Sequence, residues 1–206
     1  MKEYPSILGI DKINEKIGEH CFCTYKYDGS NLRFEYQYKK GWVKAGSRTR
    51  LLDASDPILG PAIGIFEAEY AEPLAKIFTD TREYKERGKM TCFLEFFGKS
   101  SFAGTHVLEE KKELVLFDVD IHKKGFLEPR EFIKQFGHIK IAELIYEGKL
   151  VREVVDKVQT GGYPSLIEGV IVTGGRGHSR WQRKIKLFSY LERLKSIYPK
   201  NWAQYV

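Results

Sequence analysis

The sequence predicts an α+β fold: antiparallel sheets with helices packed outside them. Short strand-like runs recur along the whole 206 residues, while helical spacing is confined to a few segments set apart from them. No repeat, low-complexity tract or Pro/Gly/Ser linker divides the chain, so a single domain over 1–206 is expected.

Phe22 to Tyr27 is aromatic and β-prone. Leu32, Phe34, Tyr36 and Tyr38 alternate with Arg33, Glu35 and Gln37, the period of a half-buried strand. Asp28-Gly29-Ser30-Asn31 between them has a turn composition, so the two runs read as a hairpin. Trp42 to Ala45 adds a third strand. Pro61 to Thr79 has Ile63, Phe66, Tyr70, Leu74 and Ile77 at helical spacing, and Pro73 is expected to kink or divide that helix. Met90 to Phe97 is an apolar strand with a lone acid, Glu95; Glu113 to Ile121 is another, with Asp118 and Asp120. Pro129 to Phe136 and Leu150 to Gln159 form short helices, and Ile167 to Thr173 and Lys184 to Phe188 form strands. Ser189 and Glu192 have capping-box spacing, so a last helix should start at Ser189.

Composition narrows the function classes. Lys and Arg outnumber Asp and Glu by 34 to 28, a net charge of +6, which leans toward anionic partners such as nucleic acid. No apolar run approaches the roughly 18 residues of a spanning helix, and Met1 to Ile10 lacks the apolar core of a secretion signal. The expectation is a cytoplasmic protein without a membrane partner. Cys21, Cys23 and Cys92 have no metal-ligand spacing and read as reduced, mostly buried thiols.

Charged residues interrupt apolar strands at several separate places, and such conflicts with burial mark candidate sites. Lys26 ends a strand-like stretch directly before a turn; Glu95 lies inside Phe93-Leu94-Glu95-Phe96-Phe97; Glu168 opens Glu168-Gly169-Val170-Ile171-Val172. Lys184 and Lys186, two apart on a strand, share a face. Each has a plain structural reading: a surface lysine, an acid at a sheet edge, a turn residue, a solvated basic strand with Arg180 and Arg183. Their order along the chain is what favours a site.

Lys26-Tyr27-Asp28-Gly29-Ser30-Asn31 resembles motif I, K-x-D-G-x-N, of the covalent nucleotidyltransferases, the superfamily of polynucleotide ligases and mRNA capping enzymes. Ser47-Arg48-Thr49 is similar to the motif that follows it. Phe93 to Gly98 and Leu116 to Asp120 resemble the paired central motifs, Glu168 to Val172 resembles motif IV, and Lys184-Ile185-Lys186 resembles motif V, K-x-K. The likeness runs in family order from Lys26 to Lys186. It implies the nucleotidyltransferase fold, an ATP-grasp-like ligase adenylation domain, here without an OB-fold domain, and it leans toward the RNA-ligase branch.

The resemblance implies that Lys26 attacks ATP and carries AMP as a phosphoramidate. A lysine amine is a poor nucleophile while protonated; neighbouring cations and partial desolvation lower its pKa. Lys184 and Lys186 would supply that field and stabilise charge building on the α-phosphate. Glu95 would accept the ribose hydroxyls, Phe117 would stack on adenine, and Arg48 and Asn31 would hold ribose or phosphate, with Arg33 a weaker candidate. Glu168 would bind Mg²⁺ (or Mn²⁺), directly or through water, and Asp28 would orient the lysine turn. AMP would then pass to a 5′-phosphate, and a 3′-hydroxyl would displace it to seal the strand.

The implied partners are ATP and nucleic acid, RNA ahead of DNA. The alternatives are a minimal DNA ligase, a self-adenylating module whose accessory protein presents the ends, and a non-catalytic nucleotide or RNA binder, which would not need a nucleophile. Gly98 to His106 reads as a loop beside the nucleotide, without P-loop spacing. Gly174 to Gly177 reads as a turn from which Arg176 could touch a phosphate. His106 and His178 receive no role.

Overall fold

Two apolar faces, each one side of an antiparallel sheet, organise the chain. They appear in a computed structural model that describes residues 1–99 and 109–205. The strands are β1 (His20–Lys26), β2 (Gly29–Gln37), β3 (Gly41–Ser47), β4 (Leu51–Leu52), β5 (Lys89–Phe97), β6 (Glu113–Ile121), β7 (Gly125–Phe126), β8 (Leu144–Lys149), β9 (Gly169–Gly174) and β10 (Trp181–Lys186). The helices are α1 (Pro61–Glu69), α2 (Ala71–Asp80), α3 (Arg82–Arg87), α4 (Pro129–Phe136), α5 (Arg152–Gln159) and α6 (Phe188–Ile197). The α+β expectation holds. Ser100 to His106, most of the expected loop, lie outside the described residues.

The chain divides into two units. The first comprises Met1–Pro5, Gly29–Lys99 and Glu109–Ile141, and holds the sheet β4-β3-β2-β5-β6-β7. Leu32, Phe34 and Tyr36 of β2 share a core face with Met90, Cys92, Leu94 and Phe96 of β5 and with Leu114, Leu116, Val119 and Ile121 of β6. Against it pack Phe66 of α1, Leu74 and Phe78 of α2, Tyr84 of α3, and Phe132 and Phe136 of α4. Phe66 stacks on Phe34 with ring centroids 3.7 Å apart.

The other face of this sheet is buried too. Tyr4 packs edge-on against Phe93, Phe117 and Phe126 and donates a 2.9 Å hydrogen bond to Asp118. Arg33, buried, donates to the carbonyl of Lys2 at 2.9 Å. Asp120, also buried, lies 3.6 Å from the Lys2 ammonium.

The second unit comprises Ser6–Asp28 and Ala142 onward, with the sheet β10-β9-β1-β8. Cys21, Cys23, Val170, Val172, Trp181 and Ile185 form its core face under Val154, Val155 and Val158 of α5 and Tyr190 and Leu194 of α6. The three cysteines are free and buried.

Three expectations change. The hairpin does not form: β1 pairs with β8 and β9, whereas β2 pairs with β3 and β5. Period-two alternation specifies a strand but not its partner, and the apolar residues of β1 and β2 belong to different cores. Gly29 makes the entry into β2 possible, because a Cβ there would stand 2.5 Å from the Phe96 carbonyl oxygen.

The long helix divides at Tyr70, ahead of Pro73. A proline ring clashes with the carbonyl four residues earlier, so the break falls upstream and Pro73 sits in the first turn of α2. The Tyr70 hydroxyl then donates to the carbonyls of Leu114 at 2.8 Å and Lys140 at 2.9 Å.

The last helix starts at Phe188 rather than Ser189, and no side chain caps it. Its entry is set by the sheet, through the 3.0 Å bond from Leu187 N to the Glu168 carbonyl. Beyond those expectations, β8, a strand with no counterpart in the sequence reading, carries no clear alternation and forms the sheet edge paired with β1.

Phe66→Ala is expected to lower unfolding free energy by about 3–5 kcal/mol in urea titration, because it empties a filled, stacked site. Asp120 carries a carboxyl raised above its ordinary range, mainly by burial and against the pull of Lys2. The native state therefore binds this proton more tightly than the unfolded chain. Stability from this group falls as pH rises through the window above the unfolded value of about 4, and the cost is complete above the raised value. Asp120→Asn should raise Tm at pH 7 and lose that gain near pH 3, roughly a unit below the unfolded value; an unchanged difference at the two pH values would refute this account.

Candidate active site

In the second unit, strand register brings the expected residues together. Lys26 on β1, Gly169 on β9 and Lys186 on β10 occupy one cross-strand row. Gly169 has no side chain, so the two lysines flank a gap. Its φ of +151° suits glycine, and a Cβ would meet the Ile185 carbonyl oxygen at 2.0 Å. Glu168, immediately before β9, fills the space: its Oε1 lies 2.7 Å from Lys26 Nζ and 2.9 Å from Lys186 Nζ. The Glu168 side chain is 3% exposed and that of Lys186 7%, so these charges compensate one another away from bulk water.

Burial lowers the Lys186 pKa below the ordinary lysine value; Lys26 pushes the same way and Glu168 opposes it. The Lys186 ammonium also lies 4.9 Å from the centre of the Tyr190 ring. The Tyr190 hydroxyl donates at 3.1 Å to Oδ1 of Asp28, itself buried. Lys184 occupies the next row on the same face, opposite Ile171 and Thr24. The loop before Glu168 is held by Tyr25, whose hydroxyl accepts the Ile167 N–H at 3.1 Å; burial foremost pushes the Tyr25 phenol up to about 12.

In the first unit, Asn31 of β2 and Glu95 of β5 face each other in register. Asn31 Oδ1 is buried without a hydrogen-bond partner among the described residues. Phe117 is the extra residue of a β-bulge, since Phe93 pairs with Asp118 and Leu94 with Leu116. The bulge sets Phe117 beside Asp118, half-buried and edge-on to Tyr4 at 5.1 Å. Arg48 is exposed just beyond Ser47, whose partner is Leu32, so it follows the strand end beside Asn31.

Lys26, Glu168 and Lys186 thus touch, Lys184 adjoins them, and Asp28 is linked to Lys186 through Tyr190. Asn31 and Glu95 are cross-strand neighbours. Arg33 is instead engaged with the N-terminal residues. Arg176 and His178 are exposed on the β9–β10 turn, and His106 lies outside the described residues. Sequence reasoning missed Tyr190 and Gly169; the first looked like any apolar helix position, and the second is explained only by its row.

Among the described residues, no three His, Cys, Asp or Glu side chains gather to hold a metal ion by themselves. A divalent ion on Glu168 would complete its shell with water and phosphate oxygens, which suits Mg²⁺. Among the same residues, no helix is long and apolar enough to cross a membrane.

No family model and no curated protein matches the sequence. Solved structures do match in fold. Naegleria gruberi RNA ligase with AMP and Mn is similar at a TM-score of 0.69 and 14% identity, over 94% of this chain and 58% of that one. The same ligase with ATP and Mn gives 0.66 and 16% identity, over 94% and 57%. With PPi it gives 0.66 and 16%, over 95% and 58%. The chain therefore spans a little under three-fifths of the length of these proteins and shares their α+β fold.

Gly169→Ala should lower unfolding free energy by at least about 2 kcal/mol, because backbone strain and a carbonyl collision coincide. Gly64→Ala, in α1 with nothing within 4 Å of the added Cβ, should raise it by about 0.5–1 kcal/mol. Thermal or urea unfolding of both variants reads the contrast; equal effects would refute the steric role of Gly169.

Proposed function

We propose that this chain is an ATP-dependent RNA ligase that carries AMP on Lys26 and joins 5′-phosphate to 3′-hydroxyl ends. The observation that carries the reading is the placement of Lys26 and Lys186 on one oxygen of the buried Glu168, around Gly169. The nucleotide and pyrophosphate complexes of Naegleria gruberi RNA ligase, which shares the fold, support it.

Two ammonium groups on one carboxylate repel each other, which favours loss of a proton from one of them. Lys26 lies at the end of β1 and is more exposed than Lys186, so it is the amine a substrate can reach. Its Nζ attacks the α-phosphorus of ATP; the N–P bond forms, the bond to the β-phosphate oxygen breaks, pyrophosphate leaves and the amine proton passes to solvent. Lys186 and Lys184 hold the negative charge that accumulates on the α-phosphate oxygens. Glu168 would hold a divalent ion, which would neutralise charge at the phosphates when bound.

Asp28 holds the turn after Lys26. On the six-stranded unit, Glu95 serves the ribose hydroxyls, Phe117 stacks on adenine, and Asn31 and Arg48 bind ribose or phosphate. Base stacking of this kind contributes about 1–3 kcal/mol in single-strand binding. AMP then passes to the 5′-phosphate, and the 3′-hydroxyl displaces it.

Incubation with α-labelled ATP and Mg²⁺, followed by denaturing electrophoresis and peptide mapping, should place the label on Lys26. Lys26→Ala should carry none, and Glu168→Gln should lose metal-dependent labelling while keeping its circular dichroism. Label on Lys26→Ala would defeat the reading. Joining of labelled RNA ends and DNA ends then separates an RNA ligase from a DNA ligase. A protein that labels but joins neither is a self-adenylating module that depends on an accessory protein.

A further inference from the structure

We infer that Tyr190 is a positioning residue for the lysine pair, bracing Lys186 with its ring and Asp28 with its hydroxyl. The inference rests on the proposed role of Lys26. Tyr190 lies in the first turn of α6, four residues after Lys186, and is 4% exposed. Asp28 follows Lys26 by two residues. One side chain therefore links the end of β10 to the chain leaving β1.

The geometry supplies a reason for each part. A buried ammonium needs compensation on more than one side. Lys186 has Glu168 at 2.9 Å and, on another side, the electron-rich face of Tyr190 at 4.9 Å. The hydroxyl does separate work. Packing in this core would be served as well by phenylalanine, and a buried phenol carries a desolvation cost unless it finds an acceptor. Its acceptor is the Asp28 carboxylate at 3.1 Å, also buried and dependent on donors. The row of Lys26, Gly169 and Lys186 sets where the two amines start, and the Tyr190–Asp28 bond limits how far the segment after Lys26 can swing. A nucleophile held in its attacking geometry reacts faster without binding substrate more tightly.

The test is single-turnover self-adenylation across ATP concentrations in wild type, Tyr190→Phe, Asp28→Ala and the double variant, with thermal unfolding of each. Tyr190→Phe keeps the ring and removes only the donor to Asp28. It should lower the maximal rate roughly tenfold, the size expected for one hydrogen bond to a charged group, while half-saturating ATP changes less than about twofold. The double variant should be no slower than Asp28→Ala alone, because both remove the same contact. A structural role would lower Tm and leave the maximal rate of the folded fraction intact. Wild-type rate in folded Tyr190→Phe, or losses that multiply in the double variant, would overturn the inference. Should Tyr190→Phe fail to fold, Asp28→Ala reads the contact from its other side, and an unchanged maximal rate there overturns it equally. A wild type that takes no label removes the reading of Lys26 and this inference with it, whereas a labelled wild type beside an unimpaired Tyr190→Phe removes Tyr190 alone.

Discussion

A carboxylate almost wholly withdrawn from water, Glu168, is the charge around which the second unit is arranged. Burying one ion costs several kcal/mol unless opposite charge and hydrogen bonds replace its hydration. Here two ammonium groups do so at 2.7 and 2.9 Å. That compensation requires two lysines on the strands either side of β9 with no side chain between them, hence a glycine in the central strand. It requires a loop before β9 held in place, hence Tyr25. It also requires support behind the more buried lysine, which is the Tyr190 ring. Removing any one part leaves a buried charge short of a partner.

The six-stranded unit solves a different problem. Its sheet is buried on both faces, so alternation no longer separates core from solvent. One face is the aromatic and aliphatic core under α1 to α4. The other carries Arg33, Glu35, Asp118 and Asp120, and Met1–Pro5 packs on it through Tyr4 and backbone carbonyls. A bulge in β6 carries Phe117 on this polar face. Asn31 and Glu95 stand in register, and the Asn31 side-chain oxygen is buried without a partner among the described residues.

Most of the strands, the short helix α4 and the motifs were legible in sequence because they depend on local periodicity and local spacing. Glu113 to Ile121 and Pro129 to Phe136 fell on β6 and α4 without adjustment. The expected break at Pro73 was right in cause and displaced in position, since the steric clash acts on the preceding turn. Errors arose where a long-range contact overrode a local signal. The Ser189 capping box yielded to the sheet bond at Leu187, and the Asp28 to Asn31 turn joins strands of two different sheets.

The sequence by itself determined which residues are charged inside apolar strands, and hence that Lys26, Glu95, Glu168, Lys184 and Lys186 conflict with simple burial. It also determined their order, which carries the resemblance. Only the tertiary structure decided which conflicts resolve against one another. Register is set by pairing that motif spacing does not see: Lys26 lies opposite Gly169, more than a hundred residues on, and Gly169 lies opposite Lys186 across the β9–β10 turn. Neither hydrophobic period nor motif spacing encodes that alignment. It comes from the core under α5 and α6, which fixes the strands whose side chains fill it, and the placement of Tyr190 beside Lys186 is a consequence of that packing.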